Sequence, residues 1–369
     1  MSAGSCETKG QAAAEFEGGR LFIDHGVKVV CLYGDWEQMG RQWGALGSSS
    51  MHKVLEFIES RTQSDPARAE SFRQTAELVY SHYPEYLKRY FEGAAETSGL
   101  SLGQLKAINA VEWGEASFMC SGIACWGDYA KGGLVYGRNY DAKSYAALGE
   151  EVIVTVYHPS GGIQSFATVG YAGEVYCVNG FNESGLFVEL NNGMPTCGDS
   201  IDFGMSLNTT ELMRLVAEAR NLDEADAFFA STPGAAGFLI GVSDGDSARC
   251  YEWFSNEVRR SDGNPEGLMV MNNHFTHCGW NLHDPAEENC WQSHRRRENL
   301  IAFAEENKGK VDARMMGSFL MKLIKDGGPA IEGFQMYQIV AIPSQRMFYL
   351  NVPGTDVSWA EIKLEKYFR

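Results

Sequence analysis

The sequence predicts an α+β fold in which antiparallel sheets are covered by helices. Two observations carry this. Between residues 51 and 112 apolar side chains recur near the 3.6-residue helical period, whereas from Cys120 onward β-branched and aromatic runs alternate with turn residues. The order is then helices, strands, two helices, strands, two helices, strands. Runs of strands alternating with runs of helices mean antiparallel sheets with helical cover rather than a doubly wound fold.

The elements follow in order. Residues 1–20 lack the apolar stretch of a signal peptide and read as a flexible arm. Leu21 to Tyr33, with Val27, Val29, Val30, Cys31 and Leu32, suits one buried strand. Leu55, Phe57 and Ile58, then Ala76, Leu78, Val79 and Tyr83, mark helices, with Pro84 permitting a break. Ser101 caps another helix through Trp113. Strands are expected at Gly133–Arg138, Glu151–His158, Gly162–Val169, Glu174–Val178 and Gly185–Leu190, then at Gly237–Val242, Ala248–Phe254 and Gly267–Asn272. Helices are expected at Thr209–Ala219, Leu222–Phe229, Ser293–Glu306 and Val311–Ile324. A hairpin, Phe334–Ile342 with Met347–Val352, comes last. No repeat or linker divides the chain, so one domain is expected.

Charge and composition exclude several functions. A net charge of −17 over 369 residues repels phosphates and argues against nucleic acid and anionic membranes. No apolar run is long enough to span a bilayer. The location expected is cytoplasmic, or exported if a leader has been removed, with Cys6 weighed as a remnant of a lipid-attachment site. Self-association is left open. Arg295, Arg296 and Arg297 read as a solvated helix face. The nine cysteines are odd in number and scattered, which does not describe a disulfide framework.

There is no phosphate loop, dinucleotide fingerprint, metalloprotease helix or serine-esterase elbow. His274, His277, Cys278, His283 and Cys290 match no standard zinc spacing, so neither metal nor cofactor is expected. The informative stretch runs from Cys120-Ser-Gly-Ile-Ala-Cys125 to Gly137-Arg138-Asn139-Tyr140-Asp141. It places a thiol at the start of a strand and returns Arg138 and Asp141 toward it on the next. An arginine beside sulfur favours the reactive thiolate. Positions 138 and 141 face opposite sides of a regular strand, so both reach one sulfur only across a bulge or a strand end.

This stretch resembles the acyl-coenzyme A:6-aminopenicillanic acid acyltransferase family of cysteine N-terminal-nucleophile (Ntn) hydrolases, related to the choloylglycine hydrolases. Trp36 to Gly44, His82 to Ala95, Gly180 to Gly185, Asn272-Asn273-His274, Trp291 and Arg296 agree with it in order. The resemblance implies an αββα four-layer sandwich with an N-terminal helical segment. It divides the chain into an arm (1–20), a helical pro-segment (21–119) and a catalytic part (120–369). It also implies cleavage between Met119 and Cys120, which frees an α-amine to act as base for the thiol.

By position, the resemblance makes Cys120, Arg138, Asp141 and Asn273 catalytic and Asn191 a substrate or oxyanion contact. A small-molecule amide or N-acyl compound is then the substrate, with cleavage of a linear amide C–N bond through acyl-Cys120. Acyl transfer to an amine is one alternative. A non-processing binding protein is another, motivated by Met119 where the penicillin branch has Gly.

Overall fold

The computed structural model describes residues 11–62, 65–114, 118–143, 145–198 and 201–369. Among these residues sixteen strands form two sheets. They are β1 (Ala14–Phe16), β2 (Gly19–Asp24), β3 (Val27–Gly34), β4 (Phe118–Cys125), β5 (Val135–Ala142), β6 (Val152–Pro159), β7 (Phe166–Tyr171) and β8 (Asn179–Asn182). The series continues with β9 (Phe187–Asn192), β10 (Gly234–Ser243), β11 (Ala248–Ser255), β12 (Glu257–Ser261), β13 (Leu268–Met271), β14 (Gln335–Ile342), β15 (Met347–Asn351) and β16 (Ala360–Lys363). The larger sheet runs β1-β2-β3-β6-β7-β8-β9-β10-β11-β12 and the smaller runs β13-β4-β5-β14-β15-β16. Every strand pair is antiparallel except β3 with β6.

The helices are α1 (Trp36–Thr62), α2 (Pro66–Ser81), α3 (Glu85–Ser98), α4 (Leu102–Asn109), α5 (Val111–Gly114), α6 (Met194–Cys197), α7 (Asn208–Glu218), α8 (Leu222–Ser231), α9 (Ser293–Glu306) and α10 (Ala313–Leu320). Helices α1, α7 and α8 pack on the larger sheet, while α9 and α10 pack on the smaller. The sheets meet face to face through β4 and β9. The result is an α+β, αββα four-layer sandwich.

Local chemistry explains the helix ends. Asp65 accepts the N–H groups of Ala67 and Arg68 to start α2. Ser101 caps α4 as expected, and Gln104 returns a bond to the Ser101 N–H. Gly40, Gly44 and Gly47 do not interrupt α1. A Cβ on Gly40 would land on the carbonyl of Tyr90, and one on Gly44 would meet the carbonyl of Ala94. These two glycines let α1 and α3 approach backbone to backbone.

Several expectations are corrected. The flexible arm of residues 1–20 is ordered from Ala14, because β1 and β2 pair as a hairpin on the edge of the larger sheet; residues 1–10, including Cys6, lie outside the described residues. The single strand at Leu21–Tyr33 is two strands turned at His25 and Gly26, both with positive φ. The strand expected at Glu174–Val178 begins only at Asn179, since Gly173 and the buried Glu174 form a turn. β3 lies between β2 and β6, so the segment before Cys120 shares a sheet with the segment after it.

Candidate active site

Cys120 is the third residue of β4, directly opposite Tyr140 of β5 in unbroken register. Alternation along β4 turns Cys120 and Gly122 toward the larger sheet and Ser121 toward the helices. Gly122 is required there, because a Cβ would fall on Glu189 Oε1 of β9. That close approach lets Glu189 cross between the sheets.

Each polar atom of Cys120 is held by a side chain from a different element. The backbone N–H donates to Asn273 Oδ1 at 2.9 Å. The carbonyl accepts from Arg296 Nη1 of α9 at 2.5 Å. Sγ lies 3.6 Å from Arg138 Nη2 of β5. All four residues are essentially inaccessible to solvent.

Arg138 is fixed by its other contacts. It donates to Asn191 Oδ1 at 2.7 Å, to the Leu190 carbonyl at 2.9 Å and to Glu189 Oε2 at 3.2 Å. A buried arginine needs such compensation, since an unpaired buried charge is strongly destabilising. Asn191 is therefore engaged through its oxygen, and its Nδ2 makes only a long bond of 3.3 Å to the Met271 carbonyl. Asn273 Nδ2 donates to the Asn192 carbonyl at 2.8 Å.

Asp141 is turned away from the sulfur. The β4–β5 register is regular, so Arg138 and Tyr140 face the larger sheet while Asn139 and Asp141 face the helices. The bulge lies instead between Gln335 and Tyr337 of β14. Asp141 sits across the ladder from Met119, and neither of its oxygens has a hydrogen-bond partner among the described residues. Arg138 reaches the sulfur; Asp141 stays beside the Met119–Cys120 peptide on the other face.

Electrostatics follow burial. Loss of solvent pushes the Cys120 thiol up to about 12 despite the opposing Arg138 charge, with Glu112, Asp141 and Glu189 adding to the rise. Burial likewise raises Asp141 to about 7 against the pull of Arg296 and Arg138. Glu112 rises to about 7 for the same reason, although it accepts the Tyr140 hydroxyl at 2.7 Å. At neutral pH the thiol is therefore protonated.

Arg296 corrects the reading of the triple arginine. Only Arg295 is exposed; Arg296 is wholly buried and also donates to Ser121 Oγ at 2.9 Å and Asn273 Oδ1 at 2.8 Å. Its Nε donates to the Trp291 carbonyl at 3.1 Å. The i, i+3 spacing with buried Ser293 was the available signal that one of the three points inward. Glu189 was missed because a carboxylate in a strand carries no motif.

The histidines and cysteines grouped in the sequence do not converge. His274 bonds Ser293 Oγ at 2.6 Å, the His277 backbone N–H donates to Glu252, and Cys278 is exposed.

Residues 129–319 match the family described as acyl-coenzyme A:6-aminopenicillanic acid acyl-transferase. The match covers just over half of the chain. The chain belongs to this family. The matched region begins after Cys120. Among solved structures, the family member is similar to an N-acylethanolamine-hydrolyzing acid amidase ortholog from Caenorhabditis elegans, at 14% identity and a TM-score of 0.46, over 66% of this chain and 100% of that one. It is also similar to a conjugated bile acid hydrolase from Clostridium perfringens, at 13% identity and a TM-score of 0.43, over 67% and 93% of the chains. Penicillin V acylase from Agrobacterium tumefaciens matches at 11% identity and a TM-score of 0.40, over 66% and 92%. Comparison with curated protein sequences gives no match. No helix among the described residues is long and apolar enough to cross a membrane.

Proposed function

We propose that the chain is an autoprocessed cysteine amidohydrolase that cleaves linear amide C–N bonds of small N-acyl substrates through an acyl-Cys120 intermediate. The observation that carries this reading is the separate anchoring of the nitrogen, carbonyl oxygen and sulfur of Cys120 by Asn273, Arg296 and Arg138. The backbone groups of any buried residue need partners; at Cys120 side chains supply them, and a guanidinium stands at the sulfur. That arrangement fixes the nitrogen and sulfur of one residue relative to each other, as chemistry that uses both requires.

Processing comes first. Sγ attacks the carbonyl carbon of Met119, the C–N bond to Cys120 breaks, and a thioester replaces the peptide. The thiol proton is lost and the departing nitrogen gains one. Asp141, raised by burial to about 7 and lying opposite Met119, suits that transfer near neutral pH. Water then hydrolyses the thioester, leaving a carboxylate on Met119 and an amine and thiol on Cys120. Asp141 and Asn273 Oδ1 are the acceptors suited to holding the new ammonium.

Turnover repeats the same chemistry on an external amide. The α-amine, with an ordinary pKa of roughly 7.7–8, takes the thiol proton. Arg138 favours the thiolate, which attacks the substrate carbonyl. The amide side chains of Asn273 and Asn191 are the donors suited to the oxyanion, once they turn from the carbonyls they now bind. Protonation of the leaving nitrogen releases an amine, and water removes the acyl group. Hydrolysis is favoured over acyl transfer because transfer must also exclude water from the acyl-enzyme.

The test is to mix the purified protein with N-acyl amines, quench with acid, and weigh the Cys120 peptide by mass spectrometry. An acyl adduct on Cys120 whose decay is indifferent to added amine supports hydrolysis. Decay that accelerates with an amine, yielding a new amide, favours the transferase reading. Turnover with no adduct and full activity in Cys120→Ala removes the proposal.

A further inference from the structure

Next to Arg296, the turn that leads into α9 brings together three metal-ligating groups that the chemistry above does not use. Cys290 Sγ lies 3.9 Å from Glu287 Oε2 and 3.7 Å from His294 Nδ1, and those two atoms are 3.5 Å apart. Around a tetrahedral zinc, with bonds of about 2.0–2.3 Å to nitrogen, oxygen and sulfur, ligand atoms lie about 3.3–3.6 Å from one another. The triangle differs from that by a few tenths of an ångström.

Two further features single it out. His294 Nε2 lies 2.8 Å from Asp284 Oδ1, the carboxylate partner that turns the other ring nitrogen into a ligand by fixing the tautomer. The chain between Cys290 and His294 passes through Trp291 and Gln292, consecutive non-glycine residues at φ 54° and 56°. A bulky residue in the left-handed region carries a conformational cost that something nearby must offset. This turn folds Cys290 back over His294.

We propose that Glu287, Cys290 and His294 bind a divalent transition metal, with zinc the best match to one thiolate, one imidazole and one carboxylate. The fourth position is left to water. Binding releases the Cys290 thiol proton to solvent. Glu287 and His294 are partly exposed, so the ion reaches the buried sulfur from their side.

Two other readings explain less. Glu287 also accepts the N–H groups of His294 at 3.3 Å and Arg295 at 2.8 Å, so it caps α9. A cap accounts for the carboxylate but not for the sulfur or for Asp284. A Cys290–His294–Asp284 nucleophilic relay has the right residue types, but a fully buried Sγ has no room for a substrate. A metal here braces the active site. Arg296 bonds the carbonyls of Trp291 and, at 3.5 Å, Cys290, while Ser293 accepts the Asn273 N–H at 2.8 Å.

The test uses full-length protein stripped with a strong chelator and then titrated with Co²⁺. One equivalent should produce a thiolate-to-cobalt charge-transfer band, and zinc should displace the cobalt stoichiometrically. Cys290→Ser and His294→Ala should abolish the band. Because those variants risk misfolding, the exposed Asp284→Asn is the second arm: it should keep the band and weaken affinity about 10–100-fold. No band in wild type overturns the proposal, as does a band that survives Cys290→Ser. Rapid iodoacetamide labelling of Cys290 that metal does not slow points to the relay instead and also overturns it.

Discussion

Asn273 Oδ1 accepts the backbone N–H of Cys120 at 2.9 Å across 153 residues of sequence. A strand-end nitrogen is thus held by a side chain rather than by the next strand, since β13 stops at Met271. The same oxygen accepts from Arg296, which also holds the Cys120 carbonyl, so removing it disturbs two contacts around Cys120 at once. Asn273→Ala should slow both processing and turnover by about 10²–10³-fold, while Asn273→Asp, which keeps the acceptor, should process faster than the alanine variant. Timed denaturing gels of freshly expressed protein measure this.

The Arg138–Glu189 pair predicts a stability effect separable from activity. Arg138→Met leaves Glu189 buried without its partner and should cost about 3–5 kcal/mol in denaturant unfolding. Adding Glu189→Gln should return most of that stability but none of the activity, because Sγ has still lost its cation. If the double variant is no more stable than the single one, the two side chains are not the coupled pair described.

Acid should stabilise the uncut chain. Burial raises Asp141 and Glu112 each to about 7 in the folded protein, against roughly 3.9 and 4.3 when unfolded. Between those values the folded chain binds more protons than the unfolded chain, so stability falls as pH rises through the window. Uncut Cys120→Ala should therefore resist denaturant better at about pH 5 than at about pH 8. Adding Asp141→Asn should narrow that difference. An unchanged difference would assign the effect to Glu112 and the other buried carboxylates rather than to Asp141.

The helix interface supplies a control far from the chemistry. Gly40→Ala drives a Cβ into the Tyr90 carbonyl and must separate α1 from α3. It should cost about 1–3 kcal/mol by thermal or chemical unfolding while leaving processing intact. A neutral result would mean that these helices do not meet as described.

Much of this was legible in the sequence, and the exceptions share a cause. Ser293–Glu306 matches α9 end to end because its apolar spacing and flanking turn agree. Cys120, Arg138, Asn191 and Asn273, each singled out in the sequence, lie in one hydrogen-bonded chain of contacts. Whether Asp141 shares the sulfur's side with Arg138 was left open, since it depends on whether β5 is regular. Arg296 stood among the positions that agree with the resemblance but was read as solvated with its neighbours, because the direction of one side chain in a run of three is set by what the helix packs on. The parallel pairing of β3 with β6 is likewise a long-range choice that neither strand announces locally.

N-terminal sequencing of active protein, separated under denaturing conditions, tests the central claim most directly. The account predicts two chains, the second beginning Cys-Ser-Gly-Ile-Ala-Cys from position 120, and a single unbroken chain in Cys120→Ala. Active wild-type protein in which no chain begins at Cys120 would contradict it.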